Sequence, residues 1–196
     1  MNLTFEKYRA IDIAIFTALV IVFESICVLA FKSWFKGELY TVSIVLAVFA
    51  ITMMRWGGLS IIHLVIGSLT TVIVNRLTGG IPNFGETLAV YGIGNLFGFA
   101  ILAFVKAVGK EKIASSPFIS LLYVCAIYVL MQVGKFVVAL VFENGKVSIL
   151  PYLLGEVISL IFAIVVVLLV RRLDGVFEDQ KTYLLRLEKQ KTDGNK

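Results

Sequence analysis

The chain begins with an apolar stretch, residues 10–31, that is long enough to cross a lipid bilayer, since one crossing needs about 20 residues. Three alanines recur in it at four-residue spacing: Ala10, Ala14 and Ala18. Four residues make slightly more than one helical turn, so these side chains share one face. Small side chains let the backbone of another helix approach closely in lipid. The stripe therefore predicts either a docking surface for a partner or close packing within the chain.

The composition places the whole chain in the membrane class. Of its 196 residues, 59% are hydrophobic and 16% charged, whereas soluble domains are about 45–50% apolar and about 25% charged. Helical crossings are predicted at residues 8–31, 39–54, 59–74, 86–105, 117–142 and 149–170. The predicted fold is an all-α, six-helix transmembrane bundle formed by residues 1–172. Residues 173–196 are predicted to be a polar cytoplasmic tail.

The distribution of basic residues predicts the orientation of the bundle. Six crossings put both termini on one side, where Lys and Arg at the helix ends number eight, against four on the other side. The eight are Lys7, Arg9, Arg55, Lys106, Lys110, Lys112, Arg171 and Arg172, and the four are Lys32, Lys36, Arg76 and Lys146. Because cytoplasmic loops are enriched in Lys and Arg, both termini are predicted to be cytoplasmic. The net charge of +5 is assigned to these loops, and no nucleic-acid partner is predicted.

Polar side chains are concentrated in the last three predicted helices, where each needs a reason because burial in lipid is costly. They lie at helical spacing: Tyr91 and Asn95 with Glu86 nearer the outer end, then Tyr128, Gln132 and Lys135, then Tyr152, Glu156 and Ser159. Lys135 and Glu156 have similar depth, so we expect them to meet in the outer half of the bundle. The set predicts an outward-facing ligand pocket, in which tyrosine rings stack on a planar ligand and polar groups bind its edge. The alternative is a structural Lys135–Glu156 pair.

Other polar groups give no support for catalysis. Glu24 either lines the pocket or pairs with a group on a neighbouring helix. His63 is the only histidine and is expected to be structural, because a zinc site needs three or four ligands. The sequence contains no P-loop, nucleophile elbow or paired-cysteine motif. We therefore predict no enzymatic activity, no cofactor and no metal, and any energy for transport must come from another protein.

The size, basic charge, six predicted helices and A-x-x-x-A spacing of Ala10, Ala14 and Ala18 resemble the substrate-binding S component of an energy-coupling factor (ECF) transporter. The resemblance implies a multi-pass protein of a bacterial cell membrane, surrounded by lipid. It implies that the alanines contact a membrane-embedded T component, through which two ATPase subunits supply energy. It also implies high-affinity capture of a water-soluble vitamin or vitamin precursor, mainly by the last three helices. Trp34 and residues 79–85 would act as lids.

The sequence does not identify the substrate. A metal-transporting member of the family would be expected to have clustered histidines near the N-terminus, and their absence here favours an organic solute. Two other classes are the alternatives. A membrane scaffold of the rod-shape-determining type would bind no ligand, and a stand-alone carrier of small solutes would need no partner subunits.

Overall fold

The computed structural model describes residues 5–34, 41–79, 83–142 and 147–193, and these residues form helices and no strand. The helices are α1 (Phe5–Trp34), α2 (Val45–Trp56), α3 (Ile61–Leu77), α4 (Phe84–Val108), α5 (Lys110–Ser115), α6 (Pro117–Phe142), α7 (Leu150–Gly155), α8 (Val157–Val170) and α9 (Gln180–Asp193). Four described segments are long and apolar enough to cross a membrane: Phe5–Trp34, Val45–Leu77, Phe84–Val108 and Pro117–Phe142. The chain is therefore an all-α protein with the character of a membrane-embedded one.

The predicted helices agree with this architecture most closely at α6, which occupies the predicted residues 117–142. The predicted second helix starts at residue 39, but α2 begins only at Val45; residues 35–40 lie outside the described part. The predicted sixth helix is interrupted at Glu156, where the backbone leaves the helical conformation between α7 and α8. The carbonyl of Gly155 that the break frees accepts a hydrogen bond from the amide of Thr41 at 2.7 Å. A distant backbone amide thus stabilises a break that helical periodicity does not predict.

The chain reverses direction between α2 and α3. Gly57 has a φ of 57°, which glycine adopts without the steric penalty of a Cβ. Beyond this turn the Ser60 hydroxyl lies 3.7 Å from the Met53 sulfur, and Gly67 packs directly against Val45. Helix α3 therefore runs back along α2, and Val45–Leu77 is a hairpin rather than one straight helix.

Helices α1 and α3 lie side by side and run in the same direction. His63 Nε2 is 3.2 Å from the carbonyl oxygen of Ile13 near the start of both helices. Lys32 Nζ donates to the Asn75 carbonyl at 3.1 Å near their ends. These contacts hold α1 against α3 along its length. One face of α1 therefore packs on α3, and another face is exposed.

Helices α4 and α6 approach each other through glycines. A Cβ added to Gly94 would lie 2.6 Å from Lys135 Cα, and one added to Gly134 would lie 2.2 Å from the Gly94 carbonyl oxygen. Both distances are below van der Waals contact, so only glycine fits at this crossing. This close approach places α4 against the part of α6 that carries the polar side chains.

The end of the bundle where α1 begins is closed by Arg55. Its guanidinium donates to both Asp12 carboxylate oxygens, at 2.9 and 2.7 Å, and to the carbonyl oxygen of Gly175 at 2.7 Å. The Tyr8 hydroxyl donates to Gln180 Oε1 at 3.0 Å. The first and last helices of the described chain are therefore joined at one end, and a buried arginine is the centre of the junction.

The segment between α8 and α9 packs against the bundle, although it lies in the predicted polar tail. Phe177 is only 2% exposed, and its ring meets the buried ring of Tyr123 edge-on at 6.3 Å. The Lys110 ammonium forms an ion pair with Asp179 at 2.6 Å. The predicted domain boundary after residue 172 stays a prediction, but residues 175–180 share the core and the ion pairs of the bundle.

The Asp179 contact makes the attachment of α9 sensitive to acid. Burial of the Asp179 carboxyl opposes its ionisation, but hydrogen bonds from Lys110 and Thr182 outweigh burial and lower its pKa. A lowered pKa means that the contact stabilises the folded state above the unfolded pKa and is lost as pH falls through the folded value. We therefore expect α9 to become mobile below about pH 4.

A spin label at Leu185 on the exposed face of α9 measures this change, in a background with Cys27 and Cys125 replaced by alanine. Its electron paramagnetic resonance spectrum is expected to sharpen as the pH falls from about 6 to about 3. The Asp179→Asn variant should give the mobile spectrum at every pH. An unchanged spectrum in that variant at neutral pH would show that the ion pair does not hold α9.

Candidate functional site

Glu24 lies in the middle of α1 and is completely buried. One carboxylate oxygen accepts hydrogen bonds from the Ser43 hydroxyl and the Ile44 amide, both at 2.9 Å. The other accepts from the Thr71 hydroxyl at 2.6 Å. Glu24 therefore contacts the start of α2 and the middle of α3, which agrees with its predicted contact with a neighbouring helix; its predicted place in a ligand pocket stays a prediction.

Lys135 and Glu156 form the expected ion pair between α6 and the α7–α8 break. Lys135 Nζ is 2.5 Å from Glu156 Oε1, and the Lys135 side chain is 1% exposed. Gln132 Nε2 donates to the other carboxylate oxygen at 2.9 Å. The face of the Tyr91 ring lies 4.8 Å from Lys135 Nζ, a distance at which an aromatic ring attracts a cation. The three faces predicted from spacing therefore converge on Lys135 and Glu156.

The two other predicted tyrosines flank this ion pair. The Tyr128 hydroxyl donates to the Leu153 carbonyl at 2.5 Å and so holds α7 against α6. Tyr152 lies on α7, one helical turn before Glu156. Tyr128 thus has a structural contact of its own.

Asn95 extends the polar region toward α3. Its Nδ2 donates to the Ser68 hydroxyl at 2.8 Å, and Ser68 is one turn before Thr71 on the same helix. On the opposite side, Ser159 Oγ accepts from the Ser43 amide at 2.9 Å. Hydrogen bonds and helix neighbours thus connect residues on α1, α3, α4, α6 and α8 with Ser43, which precedes α2. We call this set the buried polar cluster: Glu24, Ser43, Ser68, Thr71, Tyr91, Asn95, Gln132, Lys135, Glu156 and Ser159.

Besides Tyr128 and Tyr152, the predicted site residues Glu86 and Trp34 lie outside the buried polar cluster. Glu86, at the start of α4, accepts a hydrogen bond from Asn83 at the surface. Trp34, at the end of α1, is 76% exposed. Its predicted action as a lid stays a prediction. Residues 80–82 of the other predicted lid lie outside the described part of the chain.

The sequence interpretation did not assign a role in the cluster to Ser43, Ser68 or Thr71. Single hydroxyl side chains inside apolar helices are common, because they bond to the carbonyl one turn earlier. Thr71 does form that bond, with Gly67. Only the parallel packing of α1 and α3 brings Thr71 to Glu24, so no local pattern could have identified it.

The alanine stripe lies on the exposed face of α1. Ala10, Ala14 and Ala18 are all exposed, whereas Val20, Glu24 and Val28 of the same helix are buried. The three alanines therefore do not form the close internal packing that was the alternative explanation of their spacing. Their face is open to lipid or to another protein.

Comparisons of this chain with protein-family models, with curated proteins and with solved structures give no match.

Proposed function

We propose that the chain is the substrate-binding S component of an ECF transporter, which captures a water-soluble vitamin or vitamin precursor. The observation that supports this best is the buried polar cluster. Two carboxyl groups, an ammonium group, amides and hydroxyls from five helices and the segment before α2 converge inside a bundle whose surface is largely apolar. Groups of this kind are costly in a membrane protein and are typical of a path or binding site for a polar solute.

A second observation supports dependence on a partner. Helix α1 presents Glu24 to the cluster and Ala10, Ala14 and Ala18 to the outside. One helix that carries a buried residue of the cluster and an exposed stripe of small residues suits a subunit that binds solute and docks to a T component. The T component and two ATPase subunits would supply the energy.

The proposed membrane arrangement has six crossings: α1, α2, α3, α4, α6 and the α7–α8 pair. Arg55, Lys110 and Arg171 lie at the end of the bundle where Tyr8 contacts Gln180. The positive-inside rule assigns this end to the cytoplasm. The cluster would then open toward the outer side, and the chain would be a multi-pass protein of the cell membrane.

Uptake with and without partners tests the proposal. Cells that produce this chain together with a T component and both ATPase subunits should accumulate the radiolabelled solute, and cells that lack the T component should only bind it. Uptake by the chain alone would identify a stand-alone carrier. A purified chain that holds no small molecule by mass spectrometry, and that no solute stabilises against heat, would instead favour a membrane scaffold.

A further inference from the structure

The formal charges inside the buried polar cluster do not cancel. Lys135 and Glu156 neutralise each other at 2.5 Å, which leaves the carboxylate of Glu24. Among the described residues, no lysine, arginine or histidine lies within ion-pair distance of Glu24. Its partners are two hydroxyls and one backbone amide, all of them neutral donors. Among the described residues the Glu24 carboxyl therefore has neutral donors and no cation, and a positive charge beside it would have to come from a bound group.

The charge of Lys135 is not available to an anionic solute. Its ammonium is held by Glu156 and by the face of Tyr91, and its side chain is 1% exposed. Separating this pair for an incoming carboxylate would leave Glu156 as a second uncompensated charge beside Glu24. Breaking a buried ion pair in this way is strongly destabilising. An acidic ligand is therefore disfavoured by the contact between Lys135 and Glu156.

Unpartnered polar atoms in the cluster are acceptors. Gln132 Oε1 and Asn95 Oδ1 are buried and have no hydrogen-bond partner, in side chains that are 1% and 5% exposed. The orientation of Gln132 is determined by Glu156, because a carboxylate only accepts hydrogen bonds and therefore takes the amide nitrogen. A buried acceptor without a donor destabilises the folded protein. A ligand that brings hydrogen-bond donors would relieve this cost.

We infer that the solute presents a positively charged, hydrogen-bond-donating group, such as an organic ammonium or a protonated amino-heterocycle, to Glu24, Gln132 and Asn95. The inference rests on the proposed function and specifies its substrate class. The positive group supplies the cation that Glu24 lacks among the described residues. Its N–H bonds match the unpartnered amide oxygens of Gln132 and Asn95.

The charge of the bound solute tests the inference. The chain is purified in mild detergent, and its thermal unfolding is measured with cationic thiamine and pyridoxamine, neutral riboflavin, and anionic biotin and pantothenate. Native mass spectrometry identifies any molecule that co-purifies. A cationic ligand supports the inference. A neutral or anionic ligand overturns it and leaves the proposed function standing, and the absence of any ligand overturns both. Stabilisation by sodium chloride but by no organic cation also overturns the inference.

The Glu24→Gln variant tests whether Glu24 binds the positively charged group of the solute. Removing one partner of a buried charge contact should weaken binding of the cationic probe roughly 30-fold or more. The exposed Glu188→Gln on α9 is the control and should bind normally. If Glu24→Gln does not purify as a monodisperse protein, Glu24→Asp keeps the charge and displaces it, and should bind more weakly than the parent. Unchanged affinity in both variants would remove Glu24 from the binding site.

Discussion

Energised uptake is expected to disappear in the Ala14→Trp variant, while its affinity for solute stays unchanged. Ala14 is the middle residue of the exposed alanine stripe. An indole there would hold a partner helix away by several ångströms, and small residues are what permit close helix contact in lipid. Glu24 is on the buried side of α1, so the binding site should remain intact. The measurements are ATP-dependent uptake in vesicles and solute binding by the purified chain.

The matched control is Leu19→Trp. Leu19 is also exposed on α1 but lies about 140° around the helix from Ala14, since each residue turns it about 100°. This variant should transport normally. Equal loss of uptake in both variants would mean that tryptophan anywhere on α1 disturbs the protein. Loss of binding together with uptake in Ala14→Trp would mean that the stripe supports the site instead of a partner.

The Lys135→Met variant is expected to lose about 3–5 kcal/mol in free energy of unfolding. Methionine preserves most of the volume of lysine but removes the ion pair. Among the contacts of the Glu156 side chain described above, only the hydrogen bond from Gln132 Nε2 then remains. The double variant Lys135→Met/Glu156→Gln removes both charges and should recover most of this loss. Reversible unfolding by dodecyl sulfate in mixed micelles gives the three free energies.

A surface pair provides the comparison for Lys135 and Glu156. Arg186 contacts Asp174 at 2.8 Å, but both side chains are largely exposed. Arg186→Gln should therefore change stability by less than about 1 kcal/mol. A Lys135→Met variant that is as stable as the parent would contradict a structural ion pair. If that variant also fails to bind solute, the pair acts on the ligand.

The features that sequence predicts well are those with a local physical cause. The apolar length of residues 117–142 and the helix-starting Pro117 determine α6, and both ends of this helix agree with the prediction. Helical spacing likewise puts Tyr128, Gln132 and Lys135 on one face. The meeting of Lys135 and Glu156 followed from depth alone, because the hydrophobic thickness of a bilayer aligns the helices that cross it.

Features that depend on how the helices pack against one another could not be predicted from local sequence patterns. The role of Glu24 requires that α1 and α3 run in the same direction, so that Thr71 reaches its carboxylate. The break at Glu156 requires the Thr41 amide, which is distant in sequence. Phe177 lies in a polar segment and looks solvated by composition, yet the ring of Tyr123 forms part of its pocket. In each case the contact depends on a residue that is distant in sequence, and no local sequence pattern identifies that residue.

The order of synthesis gives the ion pair between Lys135 and Glu156 a consequence for biogenesis. Lys135 leaves the ribosome 21 residues before Glu156, so the nascent chain carries an unpaired ammonium group until α7 and α8 arrive. By contrast, Thr41 is synthesised long before Gly155, so its amide can donate a hydrogen bond to the Gly155 carbonyl as soon as that residue emerges. The last helical segment therefore supplies the partner of Lys135 as it inserts. A nascent chain that ends before Glu156 would leave the Lys135 ammonium without this carboxylate.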